Sequence, residues 1–227
     1  MKNIFGFIFL ILVTNLSAQK VYQFDYALEF EAISYKEQTN KVRKFYHFIN
    51  SKNNKIYLSH HKSFIGSFHA QFYDFDGYVM HEQVDSVTFM MSNELFFNCN
   101  HFEKMKSNKR YFKKYYKFEN LNDTLINGKE YHHYVYKAAK KSSFYYRNKR
   151  KEFHFIVHKN QPNFLPYLYF SNAYLTWNDN KCIPNGSLYL LYIKDDKGKI
   201  EYKARVRQII EIDKKLILPN DCQLSFH

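Results

Sequence analysis

The chain is poor in residues that break or staple a fold: among 227 residues there are six Gly, four Pro, three Cys and one Trp. So few breakers leave the turns to Asn and Asp and supply no Pro/Gly/Ser-rich linker between domains. Cys99, Cys182 and Cys222 lie far apart, and without a Cys-x-x-Cys pair the usual zinc and redox signatures are absent. No segment repeats at a fixed period, which excludes solenoids and propellers. There is no phosphate-cradling Gly loop, and Gly66-Ser67 lacks the second half of a Gly-x-Ser-x-Gly elbow. His81-Glu82-Gln83-Val84-Asp85 opens like a zinc-protease helix but carries Asp85 where the second His must stand. Nothing in the residues argues for an enzyme or for a cofactor.

The first eighteen residues read as a secretory signal peptide. Lys2 supplies the positive start, Ile4 to Val13 an apolar run broken only by Gly6, and Leu16-Ser17-Ala18 a small-residue cleavage site. The run meets Thr14 and Asn15 well short of the roughly 20 apolar residues a membrane helix needs. Gln19 stands where a bacterial lipoprotein would need Cys, so no lipid anchor is expected. The expectation is export to the periplasm or beyond, with one domain over 19–227, a length that supports a single core. After export a disulfide is permitted, and Cys182 with Cys222 is the pairing to test first.

What the chain has in excess is Tyr (21) and Phe (23), and they alternate with polar residues. Tyr22, Phe24, Tyr26, Leu28 and Phe30 share one parity, with Gln23, Asp25, Glu29 and Glu31 on the other, the period of a half-buried strand. Val42 to Ile49 and Ile56 to Leu58 flank a polar cluster over 50–54, and Phe68 to Phe75 and Tyr78 to Val84 flank Asp76-Gly77. Tyr115 to Leu121 and Tyr131 to Lys137 flank a turn with Asn127-Gly128; Leu188 to Ile193 and Ile200 to Ile212 flank Asp195 to Gly198. Helix is expected only at Ser92 to Lys109 and Pro166 to Trp177. The fold class is therefore mainly antiparallel β, a curved open sheet or half-barrel with one to three short helices, one face wet and one packed.

Toward the end, Ile183-Pro184-Asn185-Gly186-Ser187-Leu188, a strand, an Asp-Lys-Gly turn, another strand and Leu218-Pro219 form a recognisable order. Thr124 to Lys129 before a Tyr-rich strand fits with it. This order resembles the closing part of exported β-rich proteins of Bacteroidota, including the family named for its Gly-Leu-Pro-Gly-Leu-Ile motif, of which only Pro184 and Gly186 match. The resemblance implies a curved half-barrel similar to periplasmic lipoprotein carriers, sheltering an apolar ligand, and it brings no catalytic residues.

Charge is concentrated. The span 104–151 holds fifteen Lys and Arg against three acids, which is the whole surplus of the mature chain. Lys109, Arg110, Lys113, Lys114, Lys117, Lys140, Lys141, Arg147, Lys149, Arg150 and Lys151, interleaved with Tyr and Phe, form a candidate anion-binding segment. Outside the cytoplasm its partners would be acidic glycans, lipid head groups or a membrane surface, with nucleic acid second in line. AT-rich coding and an ordinary solvated face explain the same bias without binding.

Eleven His show no ligand spacing. His60-His61 and His132-His133 point to opposite faces of a strand, while His154 and His158 share a face about 13 Å apart at roughly 3.3 Å per residue. A cross-strand set such as His61, His69 and His81 stays open, and no metal is expected. The first functional expectation is a non-catalytic envelope protein binding an apolar or amphipathic ligand. The alternative is an envelope structural or interaction protein using its basic aromatic surface on acidic glycan, head groups or a protein partner.

Overall fold

Strands form where rings alternate with polar groups, and most of them pair with a neighbour in sequence across a turn rich in Asn, Asp or Gly. The structure, a computed structural model, describes residues 20–35, 41–63, 66–75, 77–104, 115–139, 151–168 and 170–218. Its strands are β1 (Lys20–Ser34), β2 (Val42–Asn50), β3 (Asn53–Lys62), β4 (Phe68–Asp74), β5 (Tyr78–Val84), β6 (Glu94–Phe96) and β7 (Phe102–Lys104). The second half adds β8 (Tyr116–Asn120), β9 (Thr124–Ile126), β10 (Lys129–Ala138), β11 (Glu152–His158), β12 (Leu188–Lys194) and β13 (Ile200–Leu218). They make one sheet in the order β7-β5-β4-β3-β2-β1-β13-β12-β11-β10-β8, with β6 beside the end of β13 and β9 beside β10. Every pairing is antiparallel except β6 with β13.

Two helices lie against this sheet, α1 (Ser86–Met91) and α2 (Ser171–Asn180). Helix α2 touches both β3 and β8, although six strands separate these two in the sheet order. The sheet must therefore curl around α2, so the face that carries α2 is concave and the sheet stays open, as the sequence predicts.

Each face has its own core. On the concave side Leu28, Phe30, Tyr57, Phe75, Tyr134, Phe155 and Val157 pack with Ala173, Tyr174 and Trp177 of α2. On the convex side Tyr22, Phe24, Phe48, Leu58, Phe72, Met80 and Leu216 pack with Phe89 of α1. Fully burying one such ring or leucine is worth about 1.5–3 kcal/mol, so both faces contribute to stability. The expectation of one wet face is thus corrected: α1 covers part of the outer face. Strand β1 serves both cores because its register against β13 shifts between Phe24 and Tyr26. Across that irregularity the even positions change face, so Tyr22 and Phe24 point outward while Tyr26, Leu28 and Phe30 point inward.

Four other expectations change. No α-helix forms over 92–104; Asp85 accepts from the Thr88 amide at 2.8 Å and starts α1 earlier, and β6, a single 3-10 turn at Cys99–His101 and β7 follow. The second helix begins at Ser171, with Pro166 in a non-helical approach. Asn127-Gly128 joins β9 to β10 rather than β8 to β10, both residues taking positive φ. Cys182 is a free, exposed thiol and Cys99 is disulfide-bonded, so Cys182 and Cys222 are not a pair. The reason lies in topology: Cys182 follows α2, where its carbonyl accepts from Asn120 at 3.1 Å, whereas Cys99 follows β6 beside the last residues of β13. Cys222 and residues 1–18 lie outside the described residues. Among the described residues no helix is long and apolar enough to cross a membrane.

Candidate functional site

Alternation in β2, β3 and β4 places Phe45, His47, Tyr57, Ser59, His61, Gln71 and Tyr73 on the concave face. Helix α2 and the segment before it cover one stretch of that face, where Phe75 meets Tyr174 at 5.6 Å. The cover ends at Tyr167, whose hydroxyl is hydrogen-bonded to His47 Nδ1 and whose ring lies 5.9 Å from Phe30. Beyond it the concave face is open, and a cleft of ≈ 470 Å³ remains.

Rings build the floor. Phe45 stacks on Phe30 at 4.9 Å with planes 8° apart, and Tyr57 stacks on Tyr73 at 4.6 Å and 18°. His47 sits between them, 5.0 Å from Phe45 and 5.3 Å from Tyr57. Ser59 and Gln71 add hydrogen-bonding groups, and Arg43 and Lys151 edge the mouth together with the carboxylate of Glu201, while Lys44 and Lys62 border it but turn their ammonium groups to the outer face, towards Glu29 and Glu31 and over the Phe68 ring. Lys44 reaches Glu29 and Glu31 at 3.8 Å each, and Lys151 reaches Glu201 at 3.5 Å.

Burial sets the protonation of this floor. It pushes the His47 imidazole down to about 3, with the charge of His61 adding to the effect, so His47 is neutral under ordinary conditions. Burial also lowers His61, and His69 and His81 reinforce that. Tyr73 is raised by burial, partly offset by its hydrogen bond with Tyr57. A floor of neutral rings suits apolar contact, whereas charge is confined to the mouth.

The sequence expectations meet this geometry unevenly. His60 and His61 do face opposite ways: His60 stacks on Phe89 at 4.7 Å outside, and His61 lies 6.0 Å from His69 inside. His61, His69 and His81 share the concave face, yet no group of three such ligands that could hold a metal occurs among the described residues. Of the candidate anion-binding segment, Lys117 and Lys151 are described; Lys117 pairs with Glu119 at 2.5 Å and Lys151 stands at the cleft mouth. Lys109, Arg110, Lys113, Lys114, Lys140, Lys141, Arg147, Lys149 and Arg150 lie outside the described residues. His47, Tyr57, Ser59, Gln71 and Tyr73 were not legible as a site, because alternation gives their face but not which stretch of it α2 leaves bare.

The molecule belongs in outline to the class of open, curled antiparallel sheets wrapped around a helix. No family model matches the chain, and no curated protein matches its sequence. Among solved structures it is similar to an uncharacterised conserved protein from Thermus thermophilus, at 9% identity and TM-score 0.43, covering 91% of this chain and 86% of that one. It is also similar to a chain of the Pseudomonas aeruginosa MucA/MucB complex, at 8% identity and TM-score 0.41, covering 89% of this chain and 56% of that one. A putative outer membrane lipoprotein-sorting protein domain from Vibrio parahaemolyticus matches at 9% identity and TM-score 0.34, covering 82% and 85%. Likeness of this degree does not carry function from one protein to another.

Proposed function

We propose that the protein is a non-catalytic envelope protein that holds an amphipathic ligand, with the ligand's apolar body on the concave aromatic floor and its anionic end at the basic mouth. The observation that supports this most is the ≈ 470 Å³ cleft, which falls within the size range of small-molecule sites and pairs a ring-lined floor with the cations Arg43 and Lys151 at its edge. Neutral His47 and raised Tyr73 keep the floor uncharged, which favours an apolar body there. Placement in the periplasm or outside the cell follows from the signal-peptide pattern of residues 1–18 and is part of the proposal.

Native mass spectrometry of protein purified gently from the envelope without detergent tests both parts. The expected spectrum shows a chain beginning at Gln19, a fraction of which carries a lipid-sized mass increment. Gln71→Trp, which fills the cleft from a half-buried position, should lose the increment and keep its melting temperature. Bare protein in every preparation contradicts the ligand, and a chain still carrying residues 1–18 contradicts export.

A further inference from the structure

The outer face of β10 to β13 carries a second concavity, of ≈ 340 Å³, remote from the cleft because it opens on the opposite side of the sheet. Its wall is a ladder of rings: Tyr131 lies 5.0 Å from His158 and 4.6 Å from Tyr189, and the Arg205 guanidinium rests over the Tyr189 face at 5.0 Å. Such a cation–π contact helps to hold a flexible arginine in place before any ligand arrives. Lys129 and Arg207 flank it.

Among the described residues no carboxylate lines the concavity. Arg207 meets Glu31 at 3.2 Å, and the nearby Glu130 is engaged by Lys159 at 2.8 Å. Among the described residues no ion pair engages Lys129 or Arg205, and both are exposed. The local field is positive enough to act on a neighbour: His158 is lowered by burial and then by Lys129. A guanidinium seated on a ring beside Lys129, with neither in an ion pair among the described residues and Arg207 at the flank paired with Glu31, is the chemistry that binds a tetrahedral oxyanion. The volume leaves room for the small polyol or sugar that would carry it.

From the ring-held guanidinium of Arg205 flanked by Lys129 and Arg207, we propose that this outer concavity is a binding site for a phosphate monoester group. Two sources offer that group, a lipid head group and a soluble sugar or glycerol phosphate.

The test is a titration of the mature protein with inorganic phosphate at low ionic strength, following the His158 ring signals by NMR. A saturable shift is expected, weakened about tenfold or more in Arg205→Gln and in Lys129→Gln, since each loses a charged donor. Gln71→Trp in the cleft should respond as the parent does, which separates this site from the proposed ligand cleft. Melting temperatures confirm that the variants are folded. No saturable shift in the parent, or an equal shift in folded Arg205→Gln, overturns the proposal. Glycerol 3-phosphate and phosphatidylcholine vesicles containing phosphatidic acid then identify the source. Response to the soluble ester alone supports a soluble ligand, capture by the vesicles supports a head group, and silence towards both overturns the site.

Discussion

His47, His60 and His154 illustrate how burial, reinforced by nearby charges such as His61 and Lys194, decides a side chain's charge. Burial lowers them to about 3, about 4 and about 4 respectively, so each stays neutral in the fold well below pH 6. The unfolded chain binds these protons near pH 6.5, more readily than the folded one. Stability is therefore full above pH 6.5 and falls as pH drops toward 4, by at most about 1.4 kcal/mol per pH unit for each histidine. Urea unfolding between pH 7 and 4.5 should show a decline that becomes shallower in His47→Gln; an unchanged slope would contradict the burial of that ring. Lys214 works in another window. Its Nζ donates to the carbonyls of Phe89, at 2.9 Å, and Ser92, and lies 5.5 and 5.4 Å from the Phe48 and Phe89 rings. Burial lowers it to about 8, so the unfolded chain holds more protons between pH 8 and 10.5 and stability rises with pH there. Sequence alone showed the opposite facing of His60 and His61 because alternation is local. It did not show His47 against Tyr167, a contact across 120 positions.

At the scale of elements, the hairpins were legible wherever the turn residues carry the required backbone. Asp195 accepts from the amides of Lys197 at 2.9 Å and Lys199 at 2.8 Å, and Gly198 takes φ +79°, so β12 and β13 pair as their sequence predicts. The helices were harder, since a six-residue α1 depends on one cap and on Phe89 reaching the outer core, neither of which produces a helical period. Gly186 shows that a motif residue can be explained by packing. It takes φ +155°, its amide donates to the Phe164 carbonyl at 2.8 Å, and a Cβ there would stand 2.4 Å from the His158 carbonyl oxygen. It ties the segment before β12 to the end of β11 and to the approach to α2. Gly186→Ala should destabilise the protein by about 2–4 kcal/mol, read from chemical denaturation. A loss below about 0.5 kcal/mol would mean that the close approach is not maintained.

The whole molecule combines these levels. Strand alternation supplies rings to both faces, the shift within β1 divides them between two cores, and curling around α2 leaves part of the concave face uncovered. Curvature was foreseeable from an antiparallel sheet with many rings and few helices, but the extent of the cover was not. That depends on where Tyr167 stops, which is set by packing between segments distant in sequence. The charge surplus over 104–151, prominent in the sequence, bears on the cleft through Lys151, while the other cation at its mouth is Arg43.

Photo-crosslinking tests the central claim most directly. A long-chain fatty acid carrying a photoreactive group near its methyl end, irradiated with the purified protein and mapped by peptide mass spectrometry, should attach to peptides containing Phe45, Tyr57 or Tyr73, and excess unlabelled fatty acid should suppress the adducts. Adducts confined to the outer face, around Phe96 or Tyr189, or labelling that competitor does not reduce, would contradict a ligand held in the concave cleft.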